Sequence, residues 1–586
     1  MCGIAGVIGT LEDKSRIVEM TASLRHRGPD GYGHCSRGRV HIGSTRLAII
    51  DPSSGAEPLT DETGQIFLTC NGEIYNYGEL RSDLQRQGHH FATGIDTEVI
   101  IHLYEEFGRD CVQHLRGMFA FAILDGDSLF LARDRLGIKP LYYAFNKSAR
   151  RFVFASEIKV ILQHYGRKPE LCMQTFADSV VLGHAVHDQT FFDGVKSLPA
   201  GHTMAVFTAD QIEVGLPTPY FSRETVRDEN ISLTDAMDEL EAALQDGVET
   251  HLVADVEVGL TLSGGIDSTL LALLARASHE GPLATFTIAD HERHPDVVQA
   301  RNIASMIQAE HHEVIMTFED YLSAIPGLVA TEGQPSSLYG LPYHFLCSRI
   351  ARRLKACLHG EGADELFGGY REYLQRERRV LYYRERLPLL KQLGIAPSER
   401  AASQMVKLSA AGSFDDYLEQ IFEANLGDPL QRHHLDLVDR CSMAVGLEMR
   451  VPYMDDRVFQ VATRLPIRLL VQVDLGIRKY ILRHLALRRF GPDIIDIILR
   501  EKLGAPSAGI IFLDRFDQMC NELLPDHYIE HHEFGCFFRS KRELILFDLF
   551  LEVFLHHRGD ATEFPSITEF IRERARGASL QIPVGA

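Results

Sequence analysis

The sequence predicts a two-domain α/β protein: antiparallel sheets with packed helices first, then a doubly wound parallel sheet that gives way to a helical C-terminal part. Three observations lead there. A chain of 586 residues is too long for one hydrophobic core. Its first ~200 residues are dense in short β-type runs separated by turn residues. From residue 256 strands alternate with helices, and beyond residue 318 the pattern is largely helical.

Within the first unit the β-type runs fall at 39–43, 65–70, 120–124, 128–132 and 151–155, with helical patterns at 77–87 and 97–107. The stretch 218–232 carries Pro, Ser, Arg and acidic residues and reads as connecting chain. A long amphipathic helix follows at 233–251. Then come a strand at 256–263, a Gly pair at 264–265, a helix at 266–277, a strand at 284–288, a helix at 297–308 and a strand at 312–315. The boundaries expected are 2–215 for the first unit, 216–232 for a linker, 233–570 for the second unit and 571–586 for a flexible tail.

Apolar residues at 45% and charged residues at 24% are ordinary for a soluble globular protein. A net charge of −21 argues against a general binder of nucleic acid or anionic membranes, while leaving room for local basic pockets. Residues 1–6 lack the basic segment and apolar core of a signal peptide, and no apolar run approaches the ~20 residues that span a bilayer. A cytoplasmic protein is expected. The ten Cys include no CxxC pair and read as buried small hydrophobes, with Cys2 the exception. The pairs His89-His90, His311-His312, His433-His434 and His556-His557 lack the i, i+4 spacing that aims two rings at one metal, so they read as surface or core residues. The basic run 371–386 is interleaved with acids and reads as a solvated helix rather than an RNA site.

Cys2 follows the initiator Met and precedes Gly3. Removal of Met1 leaves a thiol and an α-amine on one residue, and an amine with a reference pKa of about 7.7–8.0 can serve as the base that activates the thiol. Alone, a Cys in second position carries little weight. Four motifs follow it in order: Arg25-His-Arg-Gly-Pro-Asp-Gly31, Arg46-Leu-Ala-Ile-Ile-Asp51, Asn71-Gly-Glu-Ile-Tyr-Asn76 and Gly94-Ile-Asp-Thr-Glu98. On these residues the chain resembles the glutaminase domain of class II glutamine amidotransferases, from Cys2 to about residue 199. The resemblance implies an N-terminal-nucleophile α/β/β/α sandwich in which Cys2 attacks the glutamine amide. It further implies that Asn71 and the Gly72 N–H form the oxyanion hole, that Arg46 binds the α-carboxylate, and that Glu73 and Asp96 bind the α-ammonium.

In the second unit Leu262-Ser-Gly-Gly-Ile-Asp-Ser-Thr269 joins a strand to a helix. Small residues let backbone approach an anion, and the helix N-terminus supplies aligned N–H groups. No Lys follows the glycines, so this is not the GxxxxGK[ST] loop. It resembles the pyrophosphate loop of ATP pyrophosphatases. Further on, His359-Gly-Glu-Gly-Ala-Asp-Glu-Leu-Phe-Gly-Gly-Tyr370, the motif 439–455 and Gly476-Ile-Arg-Lys-Tyr-Ile-Leu-Arg483 are similar to asparagine synthetase signatures. The family resemblance implies ATP bound by Leu262, Ser263, Gly264, Gly265, Asp267, Ser268, Ile288, His359 and Gly360, with Ile288 against adenine. It implies Mg²⁺ held by Asp267 and Asp364, Lys479 stabilising charge during adenylation, and Glu361 deprotonating the attacking ammonia. The products are then an amide, glutamate, AMP and pyrophosphate, and a homodimer is the assembly the family suggests.

The chain departs from the family at Ile95 and His359, where Ser is usual, and at Pro335-Ser-Ser-Leu-Tyr-Gly-Leu-Pro342, where some synthetases carry an Ile-Arg-Ala-Ser-type segment. The last two departures flank the acceptor. They leave a choice between aspartate and another carboxylic acid. β-Lactam synthetase-like relatives with an internal amine nucleophile, and a catalytically inactive scaffold, are both disfavoured by the intact Cys2, Arg46, Asn71 and Asp96.

Overall fold

The computed structural model describes residues 2–10, 13–55, 58–209, 211–223, 226–279, 281–500, 507–561 and 564–580. In the N-terminal half the strands are β1 (Cys2–Ile8), β2 (Gly31–Arg37), β3 (Val40–Arg46), β4 (Leu59–Thr60), β5 (Ile66–Ile74), β6 (Gly117–Asp125), β7 (Ser128–Arg133), β8 (Tyr142–Asn146), β9 (Arg151–Ala155), β10 (Val195–Ser197), β11 (His202–Phe207), β12 (Glu213–Val214) and β13 (Thr218–Pro219). They form two antiparallel sheets, ordered β10-β8-β9-β1-β3-β2 and β12-β11-β7-β6-β5-β4, with β13 paired to β11.

Alternation along the strands builds the layers. Ile4 and Ile8 of β1 and Ala120, Ala122 and Leu124 of β6 meet between the sheets. Phe119, Phe121 and Ile123 turn the opposite way, onto the helices Tyr77–Gln87 and Val99–Phe107. Ala5 and Val7 face Ile17 and Met20 of the helix Asp13–Ala22. Because both faces of each sheet are covered, β1 and β3 are buried along their whole length, and the polar residues of β3, His41, Ser44, Thr45 and Arg46, are buried with it.

The C-terminal half is organised by β14 (Val258–Thr261), β15 (Ala284–Ala289), β16 (Glu310–Ile315), β17 (Ala356–Leu358) and β18 (Glu448–Arg450), parallel throughout and ordered β16-β15-β14-β17-β18. The strand order reverses at β14, so the carboxyl end of β14 opens a crevice where ligands bind in such sheets. β17 and β18 are three residues each and lie inside the stretch the sequence reads as helical. No helix among the described residues is long and apolar enough to cross a membrane.

The connecting stretch is tied down on both sides. β13 lies in it, Arg223 Nη1 donates to the Leu426 carbonyl at 2.6 Å, and Arg227 Nη1 donates to that of Leu465 at 2.5 Å. Residues 571–580, expected to begin a flexible tail, continue the helix Ile567–Leu580, because Ile567, Phe570 and Ile571 form a buried face at i, i+3 and i+4. Residues 581–586 lie outside the described residues. Buried ion pairs join the halves, Arg133 to Asp436 at 3.0 Å and Arg27 to Asp439 at 2.8 Å.

Candidate active sites

Cys2 opens β1 as the cross-strand partner of Arg46 on β3. Asn71, on β5, accepts the Cys2 backbone N–H through Oδ1 at 3.2 Å. Its Nδ2 is buried without a hydrogen-bond partner among the described residues. An orphan buried donor is costly unless something occupies it, so Nδ2 is a donor left available to a ligand. Gly72 follows. A Cβ there would lie 2.3 Å from the Met118 carbonyl oxygen, so Gly is required for β5 to pass β6 as much as for any contact with substrate.

The other three glutamine-site residues surround this pair differently from a bare fork and two free acids. The Arg46 guanidinium donates to the carbonyls of Ile50, Asp51, Ser54 and Gly55, which fold the segment 50–55 around it. Asp96 accepts the Ile74 N–H at 2.7 Å, and burial pushes its carboxyl up to about 6. Burial, then the charges of Glu448 and Asp96, drive the Glu73 carboxyl well above its usual range, although Arg450 Nη2 lies 3.3 Å away. A cation placed between these two buried carboxyls would favour their ionised forms.

The second site forms at the carboxyl end of β14. Leu262 donates its N–H to the Phe286 carbonyl at 2.7 Å, extending the strand into the loop. Gly264 takes φ +70, and a Cβ there would meet Gln299 at 2.8 Å. Gly265 then caps the helix Ile266–Ser278. Ser268 Oγ accepts the Ser263 N–H at 3.1 Å, closing the loop on itself. A cavity of about 520 Å³ lies against it. Leu262, Ser263, Asp267, Ser268, Ile288, His359, Gly360, Glu361 and Asp364 all line this cavity, while Gly264 and Gly265 shape the loop from behind.

Lys479 is no solvated helix residue. It sits in left-handed conformation, φ 54, ahead of the helix Tyr480–Phe490, and is buried. Its Nζ reaches Asp267 Oδ2 at 2.5 Å and Asp364 Oδ1 at 2.6 Å. A Cβ on Gly369 would stand 1.8 Å from Asp364 Oδ1 and 2.3 Å from Lys479 Cε, so this cradle exists only with Gly there. Two carboxylates converging on one cation are hard oxygen donors of the kind Mg²⁺ takes, and the residues fit that ion.

With this geometry in hand, residues 1–221 match the glutamine amidotransferase domain family, and residues 239–565, more than half of the chain, match the family described as asparagine synthase. The chain belongs to the asparagine synthase family. Asparagine synthetase [glutamine-hydrolyzing] 1 of Bacillus subtilis (strain 168) is 30% identical, covering 86% of this chain and 87% of that protein. The putative asparagine synthetase of Mycobacterium tuberculosis (strain ATCC 25618 / H37Rv) is 34% identical over 86% of this chain and 85% of its own. Asparagine synthetase [glutamine-hydrolyzing] 2 of Arabidopsis thaliana is 32% identical, covering 83% and 75%.

Four residues of this asparagine synthase family member have placements the sequence did not reveal. His434, which adjacency with His433 suggested was a plain surface or core residue, lines the cavity and holds Glu361 Oε1 at 3.1 Å through Nδ1. Spacing along the chain could not find it, because its partners come from a segment 69–73 residues earlier. Arg450 and Gly369 lie inside motifs that were legible, but their partners, Glu73 and the Asp364–Lys479 pair, come from other segments. The basic residue Arg371 also lines the cavity, although the run it begins is otherwise a helix, Arg376–Leu393.

Proposed function

We propose that this asparagine synthase family member hydrolyses glutamine at Cys2 and uses the ammonia to amidate an ATP-activated carboxylic acid, with aspartate as acceptor and asparagine as product. The observation that carries the reading is the buried Lys479 bridging Asp267 and Asp364 beside the Ser263–Ser268 loop, in a chain that also places Asn71 against Cys2. The Cys2 thiolate attacks the glutamine amide, and Asn71 Nδ2 with the Gly72 N–H holds the oxyanion. In the second site a carboxylate oxygen attacks the α-phosphorus of ATP and pyrophosphate leaves. Ammonia then attacks the acyl carbon and AMP leaves. Mg²⁺ held by Asp267 and Asp364 would supply neutralisation of the triphosphate charge, and the Lys479 ammonium holds those two carboxylates in place. Ammonia is mostly protonated in neutral water, which favours passage inside the protein.

A second reading keeps the chemistry and changes the acceptor. His359 and His434 face the cavity, and an adjoining cavity of about 540 Å³ shares Tyr339, Tyr370, Arg371, His433 and His434 with it. That space exceeds what aspartate fills and suits a larger acid.

The test supplies glutamine, ATP and Mg²⁺ and follows pyrophosphate and amide with and without aspartate, for wild type and Cys2→Ala. Aspartate-dependent pyrophosphate, with glutamine use lost but free ammonia accepted in Cys2→Ala, is the expected result. Glutamine hydrolysis without aspartate-dependent pyrophosphate retires aspartate and leaves the second reading.

A further inference from the structure

We propose that His434 is a positioning residue for Glu361 and through it acts on the amide-forming step rather than on adenylation. The inference rests on the synthetase reading above. His434 stands on a π-helical turn, Leu430–Leu435, that leads into the helix Asp436–Met443. Such turns shift a helix face by a residue and recur at functional sites. Here the shift delivers an imidazole between two glutamates. Its Nδ1 lies 3.1 Å from Glu361 Oε1 and its Nε2 lies 3.3 Å from Glu365 Oε1. Nδ1 donates to the Glu361 carboxylate and Glu365 places a second negative charge beside Nε2, a setting that favours the imidazolium.

The bracket is closed from both ends. The Tyr370 hydroxyl donates to Glu365 and lies 3.3 Å from His434 Nε2, fixing the far side. The other oxygen of Glu361 lies 3.5 Å from His359 Nε2, and His359 Nδ1 is anchored 2.7 Å from Thr261 Oγ1. His433 stacks edge-on to His434 at 5.1 Å, and burial holds it neutral, down to about 3. Asp364, Glu361 and Glu365 are the acidic groups that act on His434, and although burial opposes the charge they bring it to about 9. Burial likewise works to raise the Glu361 carboxyl, but hydrogen bonds from His359 and His434 hold it well below the usual range.

Only one of the two half-reactions needs this. When the nitrogen bonds to the acyl carbon, the bond from that carbon to the adenylate oxygen breaks and AMP takes its electron pair. One proton of the attacking nitrogen passes to Glu361, which must be ionised and turned toward it. Adenylation exchanges a carboxylate for pyrophosphate and moves no proton.

The experiment compares wild type, His434→Leu and His434→Gln in the full chain, with ATP, Mg²⁺, aspartate and free ammonia, so that the glutamine site is bypassed. It measures aspartate-dependent ATP–pyrophosphate exchange beside asparagine formation. Exchange within about threefold of wild type, KM for aspartate and ATP within about threefold, and a kcat for amide formation down by about 30-fold or more in His434→Leu are expected. His434→Gln keeps a donor toward Glu361 and should recover part of that loss. Parallel decline of both half-reactions in a folded His434→Gln, or undiminished amide formation in His434→Leu, overturns the proposal. A wild type with no aspartate-dependent exchange overturns the aspartate reading itself, and this inference with it.

Discussion

Arg450 touches both sites: its Nη2 lies 3.3 Å from Glu73 in the glutamine site, and its carbonyl accepts the His359 N–H at 2.8 Å on the edge of the synthetase cavity. The side chain is fully buried. It is held by Glu448 Oε1 at 2.5 Å and by the carbonyls of His251 and Val253 at 2.8 and 2.6 Å. Edge strand β18 of the parallel sheet therefore ends in a side chain that reaches into the antiparallel sandwich.

Replacing Arg450 with Met leaves Glu73 and Glu448 buried without their cation. Breaking one partner of such a group costs about 3–5 kcal/mol. A denaturant titration of Arg450→Met should show a loss of that size, with glutaminase activity weakened in the surviving folded protein. A midpoint unchanged from wild type would mean the ion group contributes nothing to holding the two sites together.

Asn71→Ala separates chemistry from stability. Its Nδ2 has no protein partner among the described residues, so the folded state gives up only the bond from the Cys2 N–H. Glutamate release should fall about 10²–10³-fold in kcat with KM for glutamine little changed, as for other oxyanion donors. Steady-state glutaminase kinetics check this.

Glutamine binding should weaken in mild acid. Burial raises Asp96 to about 6, so its ionised fraction falls as pH drops through that value. The α-ammonium of glutamine then loses a counter-charge. KM for glutamine should rise as pH falls through about 6, by up to about tenfold for each unit below it. Asp96→Asn should have a higher KM at every pH and lose the step near pH 6. KM measured across pH in both proteins decides it.

Gly369→Ala should silence the synthetase half alone. The new Cβ falls 1.8 Å from Asp364 Oδ1, so the Lys479 clamp must open. Aspartate-dependent pyrophosphate exchange should drop by at least about 10²-fold while glutamate release from glutamine stays within about twofold of wild type. Equal loss of both activities would point to general misfolding instead.

Much of this was legible in the chain itself, and for a definite reason. β1, β5 and the loop after β14 bring their functional residues together locally: Asn71-Gly72-Glu73 on one strand, Ser263 to Ser268 around one turn. Spacing along the backbone then fixes spacing in the site. The helix Tyr77–Gln87 matches its sequence pattern end to end because its Gly88 adopts a left-handed cap, a strictly local stop signal. Strands β17 and β18 are not legible because three residues carry no periodicity, and only the pairing of β17 with β14 and of β18 with β17 makes them strands.

What the sequence determined by itself is the division into an antiparallel sandwich and a parallel sheet, the motifs that follow Cys2, and the loop at Ser263. These depend on interactions among near neighbours. What only the tertiary structure decided is which charges meet. Lys479 became a buried clamp, Arg450 a bridge to Glu73 and His434 the partner of Glu361 because burial makes an ion choose a partner, and those partners lie 73 to 377 residues away along the chain.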